Sequence, residues 1–185
     1  ETLDLGDATL MPGLVDAHKH VTREGRDLLS QQSWELAANL AFGVTTAIEP
    51  SGTPEAIFTM AEAVEAGRQI GPRMYSAGSS LSSGTSTRHG AIETFEDAQH
   101  EVARLKSYGA RTIKEYQLRR RDQRQKLVMA TREAGLMSTC EGDSDHLEYL
   151  SIAMDGHTGC EHPILTLPLQ RDVTQFLGQA GFFYS

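Results

Sequence analysis

The chain has 185 residues, 39% of them hydrophobic and 23% charged, enough for one domain with a sizeable core. A net charge of -8 argues against nucleic acid or an anionic membrane surface as partner. No apolar run approaches the roughly 20 residues that a membrane span needs, and two cysteines make no disulfide framework.

Glu1 to Thr9 alternates crudely, as one strand of a small flanking β-element does. Because the chain begins at Glu1 and not at a methionine, it reads as a piece of a longer polypeptide, and its compartment (cytoplasm or periplasm) stays open. Pro12-Gly13 is a turn signal, and Leu14 and Val15 start a short apolar run of the kind a buried strand shows. That run leads into His18 and His20. Side chains alternate along a strand, so these two histidines point the same way while Lys19 points the other. Two imidazoles converging at a strand end suit one metal ion, but the same spacing fits histidines that merely decorate a strand end.

Leu28, Leu29, Leu36, Leu40 and Ala41 then fall near helical spacing, with Gly43 placed to end the helix. Residues 44–48 are β-branched and Thr-rich, a strand. Thr53-Pro54 supplies an N-cap and a first-turn proline for a helix running to Gly67 or Gly71. Residues 73–77 read as a third strand. Residues 78–90 are rich in Gly, Ser and Thr and form a long loop suited to an active site; His89, within it, is either a surface residue or a substrate contact. Thr94, with Asp97 three residues on, caps a helix that buries Val102 and Leu105 and ends at Gly109.

The fourth strand covers 111–116. Asp122 opens a helix with Leu127, Val128, Ala130 and Ala134 inward and Gly135 at its end. The fifth strand covers 136–140, a short helix about 147–154, the sixth strand 160–162, a further helix 172–179, and a seventh strand begins at 181–184. Cys140 and Cys160 sit near strand ends, as small buried thiols do. His157, in a Gly-flanked turn, reads as a surface residue.

Alternation of this kind means parallel strands joined by helical crossovers. A doubly wound sheet would want a Gly-rich phosphate loop after the first strand, and Val21-Thr22-Arg23-Glu24-Gly25 is not one. The fold class is therefore α/β, a (β/α)8 TIM barrel, with residues 1–9 a remnant of the flanking element and 10–185 a partial barrel. A closed barrel needs eight units and typically about 250 residues. This chain stops at the seventh strand, so the expectation is either a longer natural chain or a homo-oligomer whose copies cover each other's openings.

Pro12-Gly13-Leu14-Val15-Asp16-Ala17-His18-Lys19-His20 resembles the opening signature of the amidohydrolase superfamily, and Leu40-Ala41-Phe42-Gly43-Val44-Thr45-Thr46-Ala47 resembles its second-strand signature. The resemblance implies a barrel of the metal-dependent hydrolase type, with one or two divalent metal ions at the carboxyl ends of the strands. Zinc is the first expectation, with manganese or iron as alternatives.

Lys114 near a buried strand end is costly unless it is paired or modified, and from the residues alone it reads as a salt-bridged or snorkelling lysine. Gly109-Ala110-Arg111-Thr112-Ile113-Lys114 resembles the family's fourth strand, where in binuclear members carbon dioxide converts the lysine into a bridging carbamate. His162 matches the sixth-strand metal histidine; otherwise it is a loop histidine near the site. Glu141 departs from the pattern, since many members place a histidine at the end of strand five. A carboxylate is still a competent ligand for Zn²⁺ or Mn²⁺, or Glu141 lies outside the ligand set. His146 is its competitor, at the start of a helix.

The implied ligands are thus His18, His20, Lys114, Glu141 and His162. The family's general-base aspartate follows an eighth strand and is expected beyond Ser185. The implied activity is hydrolysis of an amide, peptide or cyclic-amide C–N bond in a small-molecule or peptide substrate. The segment from Lys114 through Arg132 to Glu141 looks closest to imidazolonepropionase-like and prolidase-like members. Arg119, Arg120 and Arg121 face either an anionic substrate or solvent at a helix start. The alternatives are a catalytically incomplete barrel portion with a binding or structural role, and a deaminase or phosphotriesterase-like hydrolase, since one site type serves several leaving groups.

Overall fold

The computed structural model describes residues 2–21, 31–82, 92–116, 118–142 and 145–184. Among them strand and helix alternate as β1 (Leu14–Asp16), α1 (Trp34–Ala41), β2 (Val44–Glu49), α2 (Pro54–Glu65), β3 (Arg73–Ser76), α3 (Phe95–Tyr108), β4 (Thr112–Glu115), α4 (Arg121–Glu133), β5 (Met137–Cys140), α5 (His146–Asp155), β6 (Gly159–Cys160), α6 (Arg171–Gln179) and β7 (Phe183–Tyr184). The strands pair in chain order as β1-β2-β3 and β4-β5-β6-β7, and every pair is parallel.

Three hydrogen bonds carry the order across from β3 to β4. The Arg111 N–H donates to the Ser76 carbonyl (3.3 Å), the Leu81 N–H to the Lys114 carbonyl (2.9 Å) and the Tyr116 N–H to the Leu81 carbonyl (2.7 Å). The expected loop after the third strand therefore doubles as a bridge between the sheets. Among the described residues β1 and β7 do not pair, and no barrel is closed.

Helix α3 forms where the local signals put it, whereas α1 starts only at Trp34, capped by Ser33, and Thr53 precedes α2 without a side-chain cap bond. Thr94 Oγ1 accepts the Asp97 N–H (3.1 Å) and Asp97 Oδ2 accepts the Thr94 N–H (2.7 Å), a reciprocal cap at the start of α3. Gly109 ends that helix at φ 109°, a left-handed conformation that favours glycine. The apolar faces pack into three clusters. Leu36, Ala47, Ile57 and Met74 form one, Leu81, Val102, Leu105, Ile113 and Leu127 the second, and Cys140, Tyr149, Ile152 and Cys160 the third. No helix among the described residues is long and apolar enough to cross a membrane.

Several expectations need correction. Residues 2–9 carry no strand. Leu14 and Val15, expected to be buried, are 55% and 64% exposed; among the described residues β1 has a hydrogen-bonded neighbour only on its β2 side. β6 covers two residues, so Glu161 and His162 lie just past its end. Gly156 (φ 97°) ends α5. Gly159, on β6, is a point of close approach, where a Cβ would lie 2.5 Å from the Phe183 carbonyl oxygen on β7. His157 is not a surface residue: it is 4% exposed. His89, Leu28 and Leu29 lie outside the described residues.

An ion cluster locks α4 to α5. The Asp155 carboxylate accepts from Arg121 Nε (2.9 Å), Arg124 Nε (2.8 Å) and Gln125 Nε2 (2.9 Å), and the Arg124 and Asp155 side chains are buried. Asp155→Ala leaves the Arg124 guanidinium buried without its counter-charge, so urea unfolding should show a loss of about 3–5 kcal/mol.

Burial, with the Arg124 charge beside it, pushes His157 down from 6.5 to about 4. The folded chain thus holds this imidazole neutral at pH values where the unfolded chain protonates it. Its contribution is present above about pH 6.5 and is lost as pH falls through about 4, by up to about 3 kcal/mol. Unfolding free energies of the parent and His157→Leu, compared from pH 7 to 4, should show the parent losing more.

Candidate active site at the strand ends

Parallel strands in chain order bring their carboxyl ends to one side of the sheet, and the titratable residues expected at those ends meet there. Past β1, the Lys19 N–H donates to the Ile48 carbonyl (2.9 Å), which keeps the chain alongside β2. His18 and His20 then stand as a perpendicular pair with ring centroids 5.1 Å apart. The His162 ring lies 4.7 Å from that of His18. His162 Nε2 is 3.1 Å from Glu141 Oε1, and Glu141 Oε2 is 2.5 Å from Lys114 Nζ. Hence His20, His18, His162, Glu141 and Lys114 form one connected chain of contacts, Lys114 on β4 and the others just past the ends of β1, β5 and β6 rather than on the strands themselves.

Two further carboxylates orient the imidazoles. Glu49, the last residue of β2 and fully buried, takes the Val21 N–H (2.6 Å), the Ser51 N–H (3.0 Å) and His20 Nδ1 (2.7 Å). Glu161 takes His18 Nδ1 (3.0 Å) and the hydroxyl of Thr139. A carboxylate oxygen accepts, so each pairing puts a proton on Nδ1, and an imidazole that is neutral then carries its lone pair on Nε2. This is how protein carboxylates prepare histidines as metal ligands. Sequence reasoning passed over Glu49, Glu161 and Thr139. The signal for Glu161 was its place beside His162; Glu49 carried none beyond closing a strand, and Thr139, inside β5, carried none.

The charges are mutually set. Burial, then the Lys114 charge, lower the basicity of His18 against the pull of Glu161. Burial alone would raise the Glu141 carboxyl, but Lys114 and His162 outweigh it and hold it below the usual range. Burial pushes Glu115, next to Lys114 on β4, up to about 7.

Lys114 is 2% exposed and stands as the ion-paired lysine that the residues alone suggested. Among the described residues no group of three or more His, Cys, Asp and Glu side chains is arranged to hold a metal ion. The donor types suit one, with two imidazoles presenting Nε2 beside a carboxylate, but Glu141 is engaged by Lys114 and His162.

The other candidates fall away from this network. His146 starts α5 and lies 3.7 Å from Asp145. Arg120 pairs with Glu93 (2.9 Å) and Asp122 (2.7 Å), and Arg121 with Asp155 (2.7 Å), so these charges hold helices rather than a substrate. Arg119 is exposed.

The sequence matches no model of a protein family and no curated protein. Solved structures share the fold. An uncharacterized protein superposes with TM-score 0.73 at 19% identity, over 100% of this chain and 56% of its own. A Xaa-Pro dipeptidase with bound methionine in its active site gives 0.68 at 16%, over 94% and 52%. Bottromycin amidohydrolase gives 0.64 at 24%, over 91% and 37%. The chain therefore spans about half the length of the first two, and at these identities the likeness is one of fold.

Glu49→Ala strands the Val21 and Ser51 N–H groups. It should cost about 2–4 kcal/mol in chemical unfolding of the metal-free protein.

Proposed function

We propose that this chain is the metal-binding portion of a hydrolase of the amidohydrolase superfamily, cleaving an amide, peptide or cyclic-amide C–N bond with water. The observation that carries the reading is the meeting of His18, His20 and His162 with the Lys114–Glu141 pair over one set of strand ends. The fold shared with a Xaa-Pro dipeptidase and an amidohydrolase supports it. In this reading the remainder of a (β/α)8 barrel and a general-base aspartate belong to a longer chain.

His18, His20, Glu141 and His162 would hold one or two divalent ions, with zinc favoured. Bound there, such an ion brings the pKa of its water towards about 7 and polarises the scissile carbonyl. Glu161 and Glu49 hold His18 and His20 in the tautomer that offers Nε2. Lys114, on losing a proton and adding carbon dioxide with release of a second proton, would exchange its ammonium for an anionic carbamate and free Glu141 from the ion pair. Burial lowers the basicity of His18, which favours the unprotonated form that can ligate.

A second reading is favoured by the ion pair itself. With Lys114 left as an ammonium, the Lys114–Glu141 bond serves structure, and the chain is an inert barrel portion.

Metal analysis of the full-length parent separates the two. The hydrolase should retain near-stoichiometric zinc or manganese and lose it with Lys114→Ala or His162→Ala. An inert portion should hold little metal, unchanged by either variant. Glu161→Gln should weaken metal affinity about 10–100-fold while leaving the fold intact. A panel of Xaa-Pro dipeptides, cyclic amides, aminopyrimidines and phosphotriesters should show turnover of the amides, abolished by a chelator. Turnover confined to the last two classes would replace amide hydrolysis with deamination or phosphotriester cleavage.

A further inference from the structure

Cys140 and Cys160 close the ladder between β5 and β6, where they are Cα partners in register. Both are free and fully buried, with sulfurs 2.7 Å apart. Neighbouring strands run about 4.8 Å apart, inside the window of about 4.4–6.8 Å of Cα separation that a disulfide spans. Register partners in a parallel pair point to the same face, here towards Tyr149, Ile152 and Ile164. Their next neighbours, Glu141 and Glu161, contact Lys114, His162 and His18. The sulfur pair thus lies directly behind the carboxylates of the candidate site.

We propose that Cys140 and Cys160 are a cross-linking site, oxidised to an intrachain disulfide by a low-molecular-weight disulfide while β5 and β6 assemble. One protein thiol, giving up its proton, attacks the small disulfide; a mixed disulfide forms and one small thiolate leaves. The second protein thiol, also deprotonated, attacks the mixed disulfide and expels the other small thiolate. The protein loses two hydrogens and the small disulfide becomes two thiols. Both thiols are fully buried in the folded chain and out of reach of a small disulfide, so the exchange belongs to folding, before the pair is covered. The bridge ties the strand bearing Glu141 to the strand leading to Glu161 and His162, whether or not a metal binds there.

The test is refolding of the full-length protein from urea in glutathione buffers of graded redox ratio, followed by thiol alkylation and mass spectrometry. Arg132 and Arg171 bound one tryptic peptide containing both cysteines. In oxidising buffer that peptide should be lighter by two hydrogens than its reduced, unalkylated form, and cleavage at Glu148 should leave its halves joined. The melting midpoint should rise by roughly 5–10 °C in the bridged form, and Cys140→Ser and Cys160→Ser should each abolish that redox dependence. Two alkylated thiols at every ratio, glutathione adducts alone, or cross-links between chains would overturn the proposal. The peptide readout on the parent decides the matter even if a serine variant fails to fold.

Discussion

Parallel pairing in chain order constrains everything else in this molecule. Each strand must be followed by a crossover that returns the chain to the starting edge, so the helices are obligatory and every strand ends on the same side. Residues as far apart in sequence as His18 and His162 become neighbours because of this directionality, not because of any local preference. The Leu81 bridge shows how strictly the order is kept. Where β3 and β4 do not ladder directly, a loop residue supplies the hydrogen bonds between them.

Bringing so many ionisable groups together is costly unless each finds a partner. Here the partners are arranged by sign. Glu49 and Glu161 face His20 and His18, and Glu141 is shared between Lys114 and His162. The same arrangement serves two ends: it satisfies the charges, and it sets the tautomers of the imidazoles. The Lys114–Glu141 contact is where the two readings of function part, since the lysine is either a permanent cation or the precursor of an anion. Behind this layer lies an apolar one, in which Cys140 and Cys160 pack against α5 and α6. Polar and apolar layers alternate because side chains alternate along a strand.

The ends of the chain tell the complementary story. Among the described residues β1 pairs with β2 alone and leaves Leu14 and Val15 open to solvent, and β7 pairs with β6 alone. The solved structures of the same fold are about twice as long as this chain in the first two cases.

Much of this was legible in the residues. The alternation of β-branched runs with helical spacing determined the element order, and the Thr94–Asp97 pattern determined a cap. These signals are local, and local backbone chemistry is enough to produce them. What the tertiary structure alone decided was partnership. Neither the burial of His157 between charged neighbours nor the exposure of Leu14 can be read from composition, because both depend on what packs against them. Glu49 and Glu161 became partners of the histidines only once the strands were laid side by side. A carboxylate's role is set by the donor across from it, and that donor lies 29 residues away for Glu49 and 143 for Glu161.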